Sequence, residues 1–250
     1  MANNKVSVTP LEEKATKKSL PLSNKAQFAF REAFKSARTN LLSILSVYDA
    51  PCKQLCFTSP EAGDGKTINC ANIAIAFAEM GAKVLVIDAD MRKPKTHRVF
   101  KIAASPGLSE CIGGFVPLQK AIVPYKDASG VFVLPAGKVP PNPTELILSE
   151  RFNALLKSLE TEYDYVFIDA PPAGLVTDAT IISKKTLGAI LICKSGRTKS
   201  DVAKKAKNEI EQGGGRVLGA VLNGIDLKKN KKNTKYRDMY YYDGQDGEDR

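Results

Sequence analysis

Histidine is almost absent from this sequence, and tryptophan is absent altogether. The one histidine, His97, is expected to lie on a helix face, since a single imidazole argues against a zinc site and against a Ser/His/Asp triad. The five cysteines are an odd number without regular spacing, which indicates reduced thiols. These scarcities argue against zinc enzymes, triad hydrolases and disulfide-stabilised secreted domains.

Long hydrophobic runs are missing as well. No apolar stretch approaches the roughly 18 residues of a membrane span, and the first residues lack the hydrophobic core of a signal peptide. We therefore expect a cytoplasmic protein that reaches the inner face of the cell membrane only through a partner.

Acidic residues are outnumbered, with 27 aspartates and glutamates against 37 lysines and arginines and a net charge of +10. Such an excess can indicate nucleic acid or a membrane surface as partner. Much of it lies near the ends, because residues 1–40 hold eight basic and three acidic side chains and residues 228–237 hold six basic ones. Charge placed this way is typical of solvated tails, and we expect no nucleic-acid partner.

Composition divides the chain into three parts. Residues 1–24 are polar and predict a flexible leader, and residues 228–250, which are basic, then tyrosine-rich, then acidic, predict a flexible tail. Between them, residues 25–227 alternate strand and helix patterns. This alternation predicts an α/β domain with a doubly wound, mostly parallel sheet.

A glycine-rich segment at residues 59–67 lies between an apolar, strand-like run and a helical pattern. In this setting the backbone N–H groups of the turn bind phosphate oxygens, Lys66 reaches the terminal phosphates, and the Thr67 hydroxyl is a ligand for Mg2+. Pro60 replaces the first glycine of the usual G-x-x-x-x-G-K-[ST] pattern. The segment still predicts a P-loop, with the nucleotide bound by Gly63, Asp64, Gly65, Lys66 and Thr67.

Two further apolar runs end in aspartates. Asp88 and Asp90 follow one of them, and Asp169 follows the other. Because the carboxyl ends of parallel strands share one edge of a sheet, these carboxylates are expected to converge on Mg2+ and the terminal phosphate near Lys66 and Thr67. An aspartate after a strand also caps helices or forms turns, so either segment alone leaves both interpretations open.

Together these motifs resemble those of the bacterial tyrosine kinases (BY-kinases) of capsule and exopolysaccharide systems. The resemblance covers about residues 26–242 and includes the Gly-Lys-Thr loop, a D-x-D-x-R and a D-x-P-P segment, and a C-terminal tyrosine cluster. It implies a cytoplasmic protein-tyrosine kinase of the Gram-positive split type that uses ATP and Mg2+. The catalytic residues would be Lys66, Asp88, Asp90 and Asp169, and the metal ligands Thr67, Asp90 and Asp169.

Within this scheme Asp88 is expected to take the proton of the incoming tyrosine hydroxyl. A carboxylate is a weak base for a phenol, but late proton transfer in a loose transition state makes orientation matter more than basicity. Two further residues are candidates for nucleotide contact. Arg92 is expected to bind phosphate or to hold its loop. Asn223, which follows the last predicted strand, is expected to contact adenine or to form a plain turn.

The tail would carry the phosphoacceptors. Four of the chain's eight tyrosines lie there, in a segment without strand or helix pattern: Tyr236, Tyr240, Tyr241 and Tyr242. A patch for partner docking is the alternative. The thirteen residues from Asn223 to Tyr236 span at most about 45 Å, which reaches the chain's own site or that of a neighbour.

The resemblance also implies partners. In the family an E-x-x-R-x-x-R motif on the helix before the first strand mediates ring assembly; here its positions are Glu32, Lys35 and Arg38, and Lys35 lacks the planar fork of arginine. A solvated face with i,i+3 pairs is an equal alternative. A membrane activator of the polysaccharide co-polymerase type and a phosphotyrosine phosphatase are further expected partners.

A second hypothesis is a partition-type P-loop ATPase that switches membrane or nucleoid attachment. Septum-site and chromosome-partition ATPases share the predicted core but carry a signature lysine four positions before the last loop glycine, where this chain has Glu61. A third hypothesis is a regulatory assembly module with a structural nucleotide. Glu61 and the tyrosine cluster favour the kinase.

Overall fold

Strands and helices alternate along residues 28–225, the part of the chain that this computed structural model describes. The predicted tails, and with them the tyrosine cluster, lie outside the described residues. The helices are Phe28–Leu45 (α1), Lys66–Ala78 (α2), Thr96–Phe100 (α3), Leu108–Gly113 (α4), Leu118–Ala121 (α5), Pro143–Leu148 (α6), Glu150–Ser158 (α7), Asp178–Lys185 (α8) and Ser200–Gln212 (α9). The strands are Lys53–Thr58 (β1), Val84–Asp88 (β2), Val123–Pro124 (β3), Val131–Leu134 (β4), Tyr165–Asp169 (β5), Ala189–Lys194 (β6) and Val217–Asn223 (β7).

The strands form one sheet in the order β3-β4-β2-β5-β1-β6-β7. Every neighbouring pair is parallel except β3 and β4. The predicted α/β class with a mostly parallel sheet is therefore confirmed. The register of β2 and β5 sets Asp88 directly beside Asp169 at their carboxyl ends, and β1, which leads into the phosphate loop, lies next to β5.

Alternating residues of the central strands fill two separate cores. In β1, Leu55 and Phe57 pack on one face and Cys56 on the other; in β5, Phe167 and Ile168 divide in the same way. Helices α1 to α3 cover the first face and α4 to α9 the second. Because helices cover both faces of the sheet, the sequences of these strands are continuous apolar runs.

Aromatic packing anchors α2 against the sheet. The Phe77 ring lies 5.3 Å from the Phe167 ring, which is itself 5.1 Å from the Phe57 ring. Each fully buried phenylalanine contributes about 1.5–3 kcal/mol of transfer free energy. This packing holds the last turn of α2 against the sheet.

The sequence patterns missed the short elements between residues 96 and 124. Helices α3, α4 and α5 have four to six residues, and strand β3 has two. Such lengths are too short to show a helical or strand period. Helix α7 ends at Ser158 and continues as a 3-10 turn over Leu159–Thr161. Within residues 28–225, no helix combines the length and the apolar character that crossing a bilayer requires.

Candidate active site

The phosphate loop connects β1 to α2 and depends on two glycines. Gly63 and Gly65 have φ angles of 92° and 94°, a region that side chains other than glycine disfavour. Space excludes a side chain too, since a Cβ on Gly65 would lie 2.2 Å from Asn223 Nδ2 and one on Gly63 2.7 Å from Arg197 Nη1. The Asp64 carboxylate accepts the Glu61 N–H at 3.1 Å and closes the turn.

Lys66 and Thr67 begin α2 and point to the aspartates of the neighbouring strands. The Lys66 ammonium lies 3.0 Å from Asp90 Oδ2 and 3.2 Å from Asp169 Oδ1. The Thr67 hydroxyl donates to Asp169 Oδ2 at 2.6 Å. The structure thus brings together the lysine, the hydroxyl and two of the three carboxylates in one cluster.

Lys66 is part of the protein interior. Its side chain is only 11% exposed, and both neighbouring carboxylates are buried. Burial lowers the pKa of Lys66, but the charges of Asp169 and Asp90 outweigh it and hold the pKa above its ordinary value. Lys66 is therefore a buried counter-ion, and its role as a phosphate ligand stays a prediction.

Asp88 is fully buried and serves the loop that follows it. Its carboxylate accepts the backbone N–H groups of Asp90, Lys95 and Thr96 at 3.0–3.1 Å, which holds the first turn of α3. Burial and then the charge of Asp169 raise its pKa to about 7. Asp88 is not among the residues that line the cavity described below, and its role as a base stays a prediction.

Asp169 is the centre of the hydrogen-bond network. Besides Lys66 and Thr67, the Thr96 hydroxyl approaches Asp169 Oδ2 at 3.4 Å. Burial raises the pKa of Asp169 more than the Lys66 ammonium lowers it. A carboxylate in this position gains most from an added cation.

A cavity of about 540 Å³ opens beside the loop. Its lining includes Gly63, Gly65, Lys66, Thr67 and Asp90, together with Arg92, Lys93, Lys95, Arg98, Pro171, Pro172, Leu175 and Val176. Loop N–H groups, a lysine, a hydroxyl and a carboxylate in one cavity fit a nucleotide phosphate with Mg2+. Within residues 28–225 no group of three or more His, Cys, Asp or Glu side chains is arranged to hold a metal by itself, so phosphate oxygens would have to complete the Mg2+ shell.

Arg92 and Asn223 are both held by protein groups. Arg92 Nε donates to Asp178 Oδ2 at 3.1 Å and its Nη2 to the Thr144 hydroxyl at 2.7 Å, while part of its side chain lines the cavity. Asn223 Nδ2 donates to the Asp64 carbonyl at 2.9 Å. These contacts favour a loop-holding role for both, and contact with phosphate or adenine stays a prediction.

Sequence reasoning missed several residues that shape this site. Asp178 and Thr144 orient Arg92, Thr96 contacts Asp169, and Arg197 Nη2 donates to the Ala62 carbonyl at 2.8 Å. Each lies outside the three motifs. For Asp178, Thr144 and Thr96 the only sequence signal is a polar residue near the start of a helix, which capping alone explains, and Arg197 has no such signal.

The three residues of the expected assembly motif on α1 divide into two groups. Lys35 Nζ lies 2.6 Å from Glu32 Oε1 on the helix surface. Arg38 instead donates to the Ala76 carbonyl near the end of α2 at 2.6 Å. Arg38 thus joins α1 to α2 within one chain.

Comparison with known proteins agrees with this geometry. A family model described as an AAA domain matches residues 52–195. The chain is 35% identical over 235 residues to the putative tyrosine-protein kinase CapB of Staphylococcus aureus, covering 94% of this chain and 99% of CapB. It is 35% identical over 215 residues to the tyrosine-protein kinase YwqD of Bacillus subtilis (strain 168), covering 86% of this chain and 87% of YwqD.

Solved structures give the same result. The chimerical protein CapA2B2 matches with a TM-score of 0.76 and 32% identity over 89% of this chain and 96% of the chimera. The kinase domain of the Escherichia coli tyrosine kinase ETK matches with a TM-score of 0.76 and 27% identity, over 88% of this chain and 91% of the ETK domain. MinD from Pyrococcus horikoshii, complexed with Mg-ADP, has a lower TM-score of 0.59 at 26% identity, over 71% of this chain and 75% of the MinD chain. The chain therefore belongs to the bacterial tyrosine-protein kinases of capsule synthesis.

Proposed function

We propose that this kinase phosphorylates its own C-terminal tyrosines and so regulates the synthesis and export of a capsular or exopolysaccharide. The acceptors are Tyr236, Tyr240, Tyr241 and Tyr242. The observation that supports this best is the Lys66 cluster, of which Lys66, Thr67 and Asp90 line an open cavity. A phosphate placed there is held by the loop and remains accessible to a second substrate.

Each residue of the cluster has a proposed role. The loop N–H groups and Lys66 bind the phosphates of ATP, and Thr67, Asp90 and Asp169 hold Mg2+ directly or through water. When bound, Mg2+ would neutralise charge on the transferred phosphoryl group. Phosphoryl transfer through a loose transition state needs alignment and charge neutralisation more than covalent chemistry, and these residues supply both.

The proton of the tyrosine hydroxyl goes to a carboxylate. Asp88 is the proposed acceptor, and the three N–H groups that enclose it must then move away. Of the three aspartates, only Asp90 lines the cavity in this conformation. Comparing the pH–rate profiles of Asp88→Asn and Asp90→Asn distinguishes the two, because only the variant that lacks the base loses the acidic limb of the profile.

The direct test uses the full-length protein with ATP and Mg2+ and maps phosphotyrosine by mass spectrometry. We expect modification at the four C-terminal tyrosines and none in the variant with phenylalanine at all four positions. Hydrolysis of ATP without phosphotyrosine, in the presence of the activator, would support the partition-type ATPase instead.

The proposal includes three partners and a location. A ring of subunits assembles through Glu32, Lys35 and Arg38, a membrane activator of the co-polymerase type brings the cytoplasmic kinase to the inner face of the membrane, and a phosphatase reverses the modification. The chimeric CapA2B2 structure supports an activator partner. We expect the cytosolic segment of the activator to raise autophosphorylation in dilute solution. An isolated chain that is fully active and insensitive to this segment would contradict the activator.

A further inference from the structure

Three exposed basic side chains are part of the lining of the cavity. Lys93, Lys95 and Arg98 line it along the loop before α3 and along α3 itself. We call these three residues the basic rim. In the described part of the chain, none of the three side chains makes an ion pair, whereas Arg92 beside them is paired with Asp178 at 3.1 Å.

The basic rim adds charge beyond the phosphate-binding groups. Lys66 and the loop N–H groups are the proposed phosphate contacts, and Asn223 and Arg197, whose side chains would meet a Cβ on the loop glycines, do not line the cavity. Three neighbouring cations without counter-ions repel one another. An anionic ligand beside the phosphate site would relieve this repulsion.

The lining of the cavity also includes apolar residues. They are Pro171, Pro172, Leu175 and Val176, and Leu175 is 66% exposed. The cavity therefore offers apolar side chains that suit an aromatic ring and basic side chains that suit negative charges next to that ring. A tyrosine followed by acidic residues has this combination.

The chain itself contains such a segment. Directly after Tyr242 come four acidic residues within seven positions: Asp243, Asp246, Glu248 and Asp249. The described residues end at Ile225, two residues after Asn223 at the phosphate loop. The 17 residues from Ile225 to Tyr242 span up to about 60 Å when extended, which is long enough to reach the cavity of this chain or of a neighbour.

We propose that the basic rim recognises the acidic residues that follow the acceptor tyrosine. The kinase then prefers tyrosines with acidic side chains one to seven residues toward the C-terminus, in its own tail and in other substrates. This inference rests on the proposed function, because it assigns the specificity of the same site. Its physical basis is charge complementarity at the rim of a site, which acts mainly on substrate binding.

The parent kinase for the test is the full-length protein with phenylalanine at positions 236, 240, 241 and 242. The test compares this parent with two triple variants made from it, using two peptides as substrates. One peptide has the sequence of residues 236–250; the other has Asp243→Asn, Asp246→Asn, Glu248→Gln and Asp249→Asn. The rim variant is Lys93→Ala/Lys95→Ala/Arg98→Ala. The control is Lys120→Ala/Lys126→Ala/Lys157→Ala, which removes three exposed positive charges that do not line the cavity.

We expect the parent kinase to use the acidic peptide with a kcat/KM about tenfold above that of the neutral peptide, chiefly through KM. The rim variant should lose this preference and keep its KM for ATP, and the control should behave as the parent. Equal use of both peptides by the parent, or a rim variant whose only change is a raised KM for ATP, would overturn the proposal.

Binding provides a readout that does not require phosphoryl transfer. Fluorescence anisotropy with labelled peptides, in the presence of Mg2+ and ADP, should show tighter binding of the acidic peptide to the parent but not to the rim variant. If neither peptide is phosphorylated but the binding difference is present, the proposed acceptor role of the tyrosines fails and the rim assignment stands. If the binding difference is absent, the rim assignment fails whatever the kinase activity.

Discussion

At the scale of single residues, Lys66 is outnumbered by carboxylates. It faces Asp90 and Asp169 directly, and Asp88 is close enough to influence its pKa. With all four groups ionised the cluster carries a net charge of −2, and the raised pKa values of Asp88 and Asp169 reflect this excess together with burial. A divalent cation would restore neutrality, which agrees with the proposed Mg2+ site.

Replacement of Lys66 tests both of its roles. Lys66→Met should lower phosphotyrosine formation by more than 100-fold, since it removes a charge that stabilises the transition state. It should also lower the free energy of unfolding at pH 8 by about 3 kcal/mol, because it leaves buried carboxylates without their counter-ion. Urea denaturation and phosphotyrosine mapping measure the two effects, with Lys126→Met as the control. Unchanged phosphorylation would contradict the active-site assignment.

Asn223 tests how the loop is held. Asn223→Ala removes the hydrogen bond to the Asp64 carbonyl and the packing against Gly65. A lost hydrogen bond of about 1 kcal/mol predicts a several-fold weaker affinity for ATP. If Asn223 also contacts adenine, as predicted, the preference for ATP over GTP falls too. Calorimetric titration with both nucleotides measures this, and equal losses for ATP and GTP would rule out the adenine contact.

At the scale of elements, one carboxylate holds the loops beside α4. Glu110 accepts hydrogen bonds from the Ser105 hydroxyl at 2.7 Å, the Gly107 N–H at 3.0 Å and the Ser109 hydroxyl at 3.0 Å. The Lys138 N–H, from the loop after β4, adds a longer contact at 3.3 Å. A six-residue helix has little stability of its own, so this carboxylate determines how residues 105–110 pack against the loop at 138.

Glu110 should therefore make stability depend on pH. Burial raises its pKa, but the Ser105 hydroxyl and the Gly107 N–H outweigh burial, so its pKa is lowered in the folded state. A lowered carboxylate pKa gives stability that is present above the unfolded pKa of about 4.3 and is lost as the pH falls through the lower folded value. Glu110→Gln should cost about 1 kcal/mol at pH 7, and the difference from wild type should shrink below pH 4.

Urea denaturation between pH 3 and pH 8 measures this difference. The control is Glu160→Gln, since Glu160 is an exposed glutamate in the 3-10 turn after α7. A pH-independent difference for Glu110→Gln would contradict the assignment.

At the scale of the whole molecule, the polar residues of α1 make two kinds of contact. Glu32 and Lys35 pair on its surface, whereas Arg38 bonds to α2. Glu32→Ala/Lys35→Ala should abolish the proposed ring with little change in melting temperature, because an i,i+3 pair at a helix surface contributes only about 0.3 kcal/mol. Arg38→Ala should lower the melting temperature.

Light scattering and thermal denaturation measure the two effects. The matched control is Lys205→Ala/Glu209→Ala, which removes an exposed pair on α9. A double variant on α1 that assembles as the wild type does would show that Glu32 and Lys35 are not assembly residues.

Local pattern was sufficient for much of this protein. The apolar runs, the Gly-Lys-Thr turn and the aspartates at strand ends predict the α/β class, the phosphate loop and the meeting of Lys66, Thr67, Asp90 and Asp169. They do so because strand and helix periods are local, and because parallel strands present their carboxyl ends at one edge. The motifs also predict the kinase family, which the comparisons confirm.

Tertiary structure alone decided how these groups are used. Three features of the site depend on chain segments that no local pattern links. They are the burial of Lys66, the enclosure of Asp88 by the N–H groups of Lys95 and Thr96, and the contact of Asn223 with Asp64. Asn223 and Asp64 are 159 positions apart and meet because β7 ends at the same edge of the sheet as the phosphate loop. Sequence thus determined which chemical groups reach the site, and packing determined which are buried, paired or left facing the cavity, since burial and pairing depend on contacts between distant segments.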